Sequence, residues 1–90
     1  MNKTIRRTSQ FKRDVKRMQR QGKDMARLKL VLQRLVAGKQ LPLGFNNHQL
    51  VGQYRGTREC HLEPDWLPIY ELGEDEIVLI RTGSHADLFE

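Results

Sequence analysis

His48, His61 and His85 are the side chains of this chain whose ordinary pKa allows both proton donation and proton acceptance near neutral pH. His61 sits in RECHLEPDW, residues 58–66, with Glu59 and Glu63 on either side and Asp65 just after Pro64. On an extended segment side chains alternate. Glu59, His61 and Glu63 would then share one face, and Arg58, Cys60 and Leu62 the other. A carboxylate close to an imidazole favours its protonated form. Asp65 can orient a ring or act itself. From composition alone, three dispersed histidines are more simply read as surface or half-buried residues. Only a sheet that brings its strand ends together would make them one site.

The elements that would do so are legible in the pattern. KTIRRT (3–8) reads as a short opening strand, and Ser9 as the N-cap of a first helix. Phe11, Val15 and Met18 give that helix a narrow apolar stripe, and Gly22 ends it. Asp24 caps a second helix, whose stripe is Met25, Leu28, Leu32 and Leu35, widened by Val31 and Val36, with Gly38 as the stop. The short gap between them predicts a helical hairpin. Residues 39–53 read as a loop. TRECHLE (57–63), WLPIYEL (66–72) and IVLIRT (77–82) read as three strands of an antiparallel meander, turning at Pro64-Asp65 and at 73–76. Gly83 and Ser84 begin a last turn, and HADLFE is a short helix or an extended tail. The order β-α-α-β-β-β predicts one α+β domain over residues 1–90, with two helices on one face of an antiparallel sheet. The other face is then left for function. Arg81 shares a face with Ile77 and Leu79 on simple alternation.

Charge is unevenly spread. Residues 1–40 hold thirteen Lys and Arg against Asp14 and Asp24, a net +11, while residues 41–90 are net −6, leaving the chain at +5. A basic half suggests a polyanion, most simply nucleic acid, or an acidic protein partner. A merely solvated helix face usually mixes both signs. Mean hydropathy is −0.67, and no window approaches the ~20 apolar residues of a membrane span. The N-terminus lacks the apolar stretch of a secretory signal. Cys60, the single cysteine, makes neither an internal disulfide nor a zinc site. These features predict a cytoplasmic protein without metal or cofactor.

Three segments carry a resemblance: H-x-L-x-G at His48–Gly52, H-x-E-P-D-W at His61–Trp66 and R-T-G-[ST]-H-x-x-L-F at Arg81–Phe89. With KDMARLKLVLQRL (23–35), they make the chain similar to the YafQ branch of the RelE/ParE toxin superfamily, over almost its whole length. The resemblance implies a RelE-like fold and a toxin of a type II toxin–antitoxin system. Such a toxin is an endoribonuclease that enters the ribosomal A site and cuts mRNA there. It implies as partners a cognate acidic antitoxin, the 70S ribosome and mRNA, with a monomer when free and a heterotetramer with antitoxin. By the same resemblance His48, His61, Asp65 and His85 would be catalytic and Phe89 substrate-binding. Glu59 stands where the family often has a carboxylate, with Asp expected, and Glu90 would be an acidic end near the RNA path.

The residue types suit a metal-free cut in which the RNA's own 2′-OH attacks the adjacent phosphate. Such a reaction needs a base, an acid and positive charge near the phosphate. His85 or His48 would be the base, and His61 or His85 the acid, with Asp65 orienting or sharing the base role. Arg81 would stabilise phosphate charge. Phe89 and Trp66 offer aromatic faces for a splayed base, although Trp66 is equally read as a core anchor. Lys12, Arg13, Lys16, Arg17, Arg20, Lys23 and Arg27 would contact ribosomal RNA. Rival readings are a ParE-like gyrase poison, a ribonuclease that needs no ribosome, and a non-enzymatic RNA-binding module.

Overall fold

The computed structural model describes residues 3–89. Glu90, expected near the RNA path, lies outside them. Strand β1 (Thr4–Arg7) leads into helices α1 (Ser9–Arg20) and α2 (Met25–Val36). Strands β2 (His48–Gln49), β3 (Arg58–Glu59), β4 (Leu67–Leu72) and β5 (Glu76–Gly83) follow, and helix α3 (His85–Phe89) ends the described chain. The sheet order is β1-β5-β4-β3-β2, an α+β fold.

The sheet is mixed rather than antiparallel. β3, β4 and β5 form the expected antiparallel meander and β2 extends it antiparallel, but β1 runs parallel to β5, with Thr4 opposite Glu76 and Arg7 opposite Leu79. The helical hairpin supplies the physical reason. It carries the chain over the sheet before the meander begins, so direction is not reversed at the β1 edge as a tight turn would require. The loop expected at 39–53 contains β2 and two single turns of 3₁₀ helix, at Leu43–Phe45 and Gly52–Tyr54. Conversely, the strand expected at 57–63 keeps only Arg58 and Glu59 in the ladder. Beyond Glu59 the chain leaves it, and the His61 amide bonds the Phe45 carbonyl instead.

Helix starts and stops follow local chemistry, with one shift. The N-cap of α1 is Thr8, not Ser9. The Thr8 hydroxyl accepts from the Phe11 amide at 3.0 Å and donates to the Ile80 carbonyl at 2.7 Å. It therefore joins the helix start to β5, which Ser9, one residue inside the helix, does not. Asp24 caps α2 as expected, accepting from the Ala26 amide at 3.0 Å. Gly38, after α2, has φ of +71°, the left-handed conformation that ends many helices.

Two cores lie on opposite faces of the sheet. Phe11, Met18, Leu28, Val31 and Leu35 of the helices cover Cys60, Leu62, Trp66, Tyr70, Ile77 and Leu79. Burying side chains such as Phe11 and Met18 contributes about 1.5–3 kcal/mol each. The second core is smaller: Leu67, Ile69 and Leu88, flanked by Leu50, Tyr54 and Ile80. The face expected to be open is thus partly covered by α3 and the Gly52–Tyr54 turn.

Where β1 stops, α1 takes over the edge of β5. Asp14 is fully buried there, accepts the Thr82 amide at 3.2 Å and binds both Arg81 Nε and Nη2 at 3.1 Å. Arg17 pairs with Asp14 at 3.1 Å and reaches Asp87 of α3 at 3.5 Å. These contacts satisfy edge groups that would otherwise be unpaired and tie α3 to α1. At Gly83 a Cβ would stand 2.9 Å from Asp87 Cβ, so a larger residue would push α3 away from the end of β5.

Candidate active site

One row across the second sheet face begins the site. His48 pairs with Glu59, Glu59 with Ile69, and Ile69 with Arg81. Residues directly opposite one another in a ladder share a face. Arg81 joins this row through a bulge. Tyr70 faces Leu79 while its neighbour Ile69 faces Arg81, which leaves Ile80 as the extra residue. The extra residue shifts the alternation. Arg81 is thereby moved from the side of Ile77 and Leu79, where simple alternation put it, to the side of Glu59.

The Glu59 side chain is only 6% exposed and lies between two imidazoles. Its Oε1 is 2.8 Å from His48 Nε2 and 3.9 Å from His61 Nε2. His48 Nδ1 lies 3.2 Å from the Gln49 carbonyl, so both its nitrogens face oxygen acceptors. His61 Nε2 and Glu59 Oε2 are buried without a hydrogen-bond partner among the described residues. Buried polar atoms are normally paired, and these two exceptions lie at the centre of the histidine cluster. Glu63, expected to flank His61, turns away instead, to Lys23 at 3.2 Å and Arg27 at 4.0 Å.

His85 arrives from the other side, on the first residue of α3. Asp65 Oδ1 lies 3.0 Å from its ring Nδ1 and also accepts its backbone N–H at 3.0 Å. Asp65 therefore serves His85 rather than its nearer sequence neighbour His61. The backbone N–H of His85, together with its ring, holds the Asp65 carboxyl below the usual carboxylate value. Asp65 is then ionised at neutral pH and leaves His85 Nε2 free to meet a substrate. The three rings follow one another, with centroids 6.5 Å apart from His48 to His61 and 5.5 Å from His61 to His85. Phe89 lies 6.0 Å from His85 and is 44% exposed.

Some expected contributors are occupied elsewhere. Trp66 is fully buried and donates its indole N–H to the Thr82 hydroxyl at 3.0 Å, so it is a core anchor and presents no face to a base. Arg81 is held by Asp14, and its cation reaches the site already paired. Of the basic helix residues, Arg17, Lys23 and Arg27 are in ion pairs, whereas Lys12, Arg13, Lys16 and Arg20 are exposed. Tyr54, Asp14 and the central position of Glu59 were not signalled as functional. The only hint for Tyr54 was a lone aromatic in a glycine-flanked turn.

One oxygen of Glu59 and one nitrogen each of His61 and His85 lie within 4.8 Å of one another. Two imidazoles and a carboxylate are donors that suit a borderline divalent ion such as zinc or copper, a fit that the sequence did not suggest. Cys60 is not such a donor. It is fully buried, and burial, with the neighbouring Glu59 charge, pushes its thiol up to about 12. The native protein is expected to resist a thiol reagent at pH 8 and to react after unfolding; rapid labelling of the native state would contradict this burial.

A histidine–carboxylate cluster on a small mixed sheet, joined to a strongly basic helical hairpin, defines a class: small α+β proteins equipped for acid–base chemistry on a polyanion. The chain belongs to the YafQ family, described as bacterial toxins of type II toxin–antitoxin systems, whose family model matches residues 3–90. It is 38% identical over 90 residues to the mRNA interferase toxin YafQ of Escherichia coli K12, covering 99% of this chain and 98% of that one. Its structure is similar to YafQ in the E. coli DinJ–YafQ toxin–antitoxin complex, with a TM-score of 0.92, 37% identity and 100% of both chains covered. A metal-bound toxin from Helicobacter pylori is also similar, at a TM-score of 0.90 and 35% identity over 99% of this chain and all of that one.

Proposed function

We propose that this chain is a cytoplasmic mRNA interferase that enters the ribosomal A site and cuts mRNA there, held inactive by a cognate acidic antitoxin. The observation that carries this reading is the succession of His48, His61 and His85, with the Glu59 carboxylate between the first two and Asp65 on His85. The name of the E. coli relative points the same way, and the relative's complex with DinJ supports an antitoxin partner.

In this reading the 2′-OH proton passes to His85 Nε2, and Asp65 stabilises the imidazolium that forms. The 2′-oxygen bonds to phosphorus as the bond to the 5′-oxygen breaks. His61, next to Glu59 and His48, gives that leaving oxygen its proton. The products are a 2′,3′-cyclic phosphate and a 5′-OH end. Arg81, fixed by Asp14 on the row that carries Glu59, places positive charge on the site face. A groove of about 420 Å³ opens beside His61, lined also by Arg27, Asn46 and Glu63. Lys12, Arg13, Lys16 and Arg20 meet ribosomal RNA phosphates.

Mapping 5′ ends after incubation of the protein with translating ribosomes tests the reading. In-frame cuts that need the ribosome are expected. Equal cutting of naked RNA, or intact mRNA with altered DNA supercoiling, would overturn it. Reversing Lys12, Lys16 and Arg20 to glutamate should weaken 70S binding most at low salt. Unchanged affinity at both low and high salt would remove the helices from the interface.

A further inference from the structure

We infer that Tyr54 is a specificity-determining residue, which together with Phe89 forms the seat for the nucleobase beside the scissile phosphate. The inference rests on the RNA-cutting reading and adds to it a base subsite. Tyr54 meets Phe89 edge-on, with ring centroids 5.7 Å apart and planes at 89°. Phe89 in turn lies 6.0 Å from His85. The histidine cluster is therefore joined, through His85, to an aromatic wall of two rings.

Tyr54 is held in place rather than loosely exposed. Its carbonyl accepts both the amide and the hydroxyl of Thr57, and the Thr57 carbonyl closes the loop by accepting the Leu50 amide at 2.9 Å. Gly52 and Gly56, with φ of +73° and +89°, allow the backbone to turn on either side of it. The half-buried ring packs against the second core, beside Leu50, Ile80 and Leu88. Its hydroxyl end also lies near Arg81. Phe89 alone, at the end of a five-residue helix, has little to fix its ring plane. The perpendicular Tyr54 ring fixes it, since aromatic pairs favour this edge-to-face arrangement. A base stacked on Phe89 then meets the Tyr54 side chain at its border. Stacking accepts any base, so discrimination must come from such a neighbour.

The test is end-mapped cleavage on ribosomes programmed with mRNAs that vary each base of the A-site codon. Tyr54→Leu keeps apolar volume against the second core but removes the ring. It should slow cleavage roughly 5- to 150-fold, the span of one aromatic–base stack, and change the preference at one codon position. Tyr54→Phe should lose less. Tyr54→Trp, which enlarges the ring, should shift the preference at that same position, and it serves if the leucine variant fails to bind antitoxin as a folded protein. An unchanged base profile in the folded variants, or an equal loss on every codon, would overturn the inference. Failure of the wild-type protein to cut any of these mRNAs would instead overturn the RNA-cutting reading.

Discussion

His85→Ala is expected to lower cleavage by about 10²–10⁴-fold, the usual contribution of a positioned acid or base. The ring leaves Nε2 free because Asp65 takes Nδ1 at 3.0 Å. The same Asp65 oxygen accepts the His85 backbone N–H, so the carboxylate sets both the ring's orientation and the start of α3. The His85 side chain is 49% exposed, so its loss leaves no cavity in either core. Antitoxin binding and the melting temperature should stay close to wild type. Asp65→Asn should lower turnover less than His85→Ala. Combining the two should add little, because residues that act as a unit are strongly non-additive. A His85→Ala protein that cuts within about threefold of wild type, or a double variant whose loss is the product of the single losses, would break the assignment.

Asp14→Ala is expected to cost about 3 kcal/mol, toward the lower end for breaking a buried ion pair because both arginines keep some solvent contact. Arg81, Arg17 and the Thr82 amide all use this one carboxylate. For a domain of this size that cost lowers the melting temperature by roughly 12–24 °C. Burial is the largest influence on Asp14 and pushes its pKa up, but bonds from Arg81, Gln10 and the Thr82 amide together outweigh it and leave the carboxyl below its usual value. The sign of the linkage follows. A carboxyl lowered in the folded state adds stability above its unfolded value of 3.8, and that stability is lost as pH falls through the lower folded value. Denaturation of Asp14→Asn should therefore differ from wild type most near neutrality, with the gap closing in acid. A gap that is constant down to pH 2 would mean Asp14 acts through shape alone. Cleavage should also fall, because Arg81 and, through Arg17, α3 lose their anchor.

The α+β class and both helices were legible in the sequence because their signals are local, whereas the histidine cluster was expected only through the resemblance of its motifs to a known family. Apolar stripes, the Asp24 cap and the glycine after α2 act within a turn or two of the chain. The role of Thr8 was missed by one residue because its hydroxyl also answers to β5. The parallel pairing of β1 was not legible, since the direction of an edge strand depends on how far the hairpin carries the chain. Trp66 stood between core and substrate until the sheet placed it beneath α1 and α2.

By itself the sequence determined the helix stripes, the Asp24 cap and the strands of the meander, because those signals are local; His48, His61, Asp65 and His85 were grouped only by the resemblance of their motifs to the YafQ branch. Only the tertiary structure decided which groups face one another. Asp65 pairs with His85 because α3 folds back at Gly83. Glu59 lies between His48 and His61 because β2 pairs with β3, and Arg81 joins that row because Ile80 bulges. Tyr54 reaches Phe89 because two glycine turns lay it over the second core. Each of these contacts depends on register and on elements far apart in the chain, and a one-residue shift of register would reverse it.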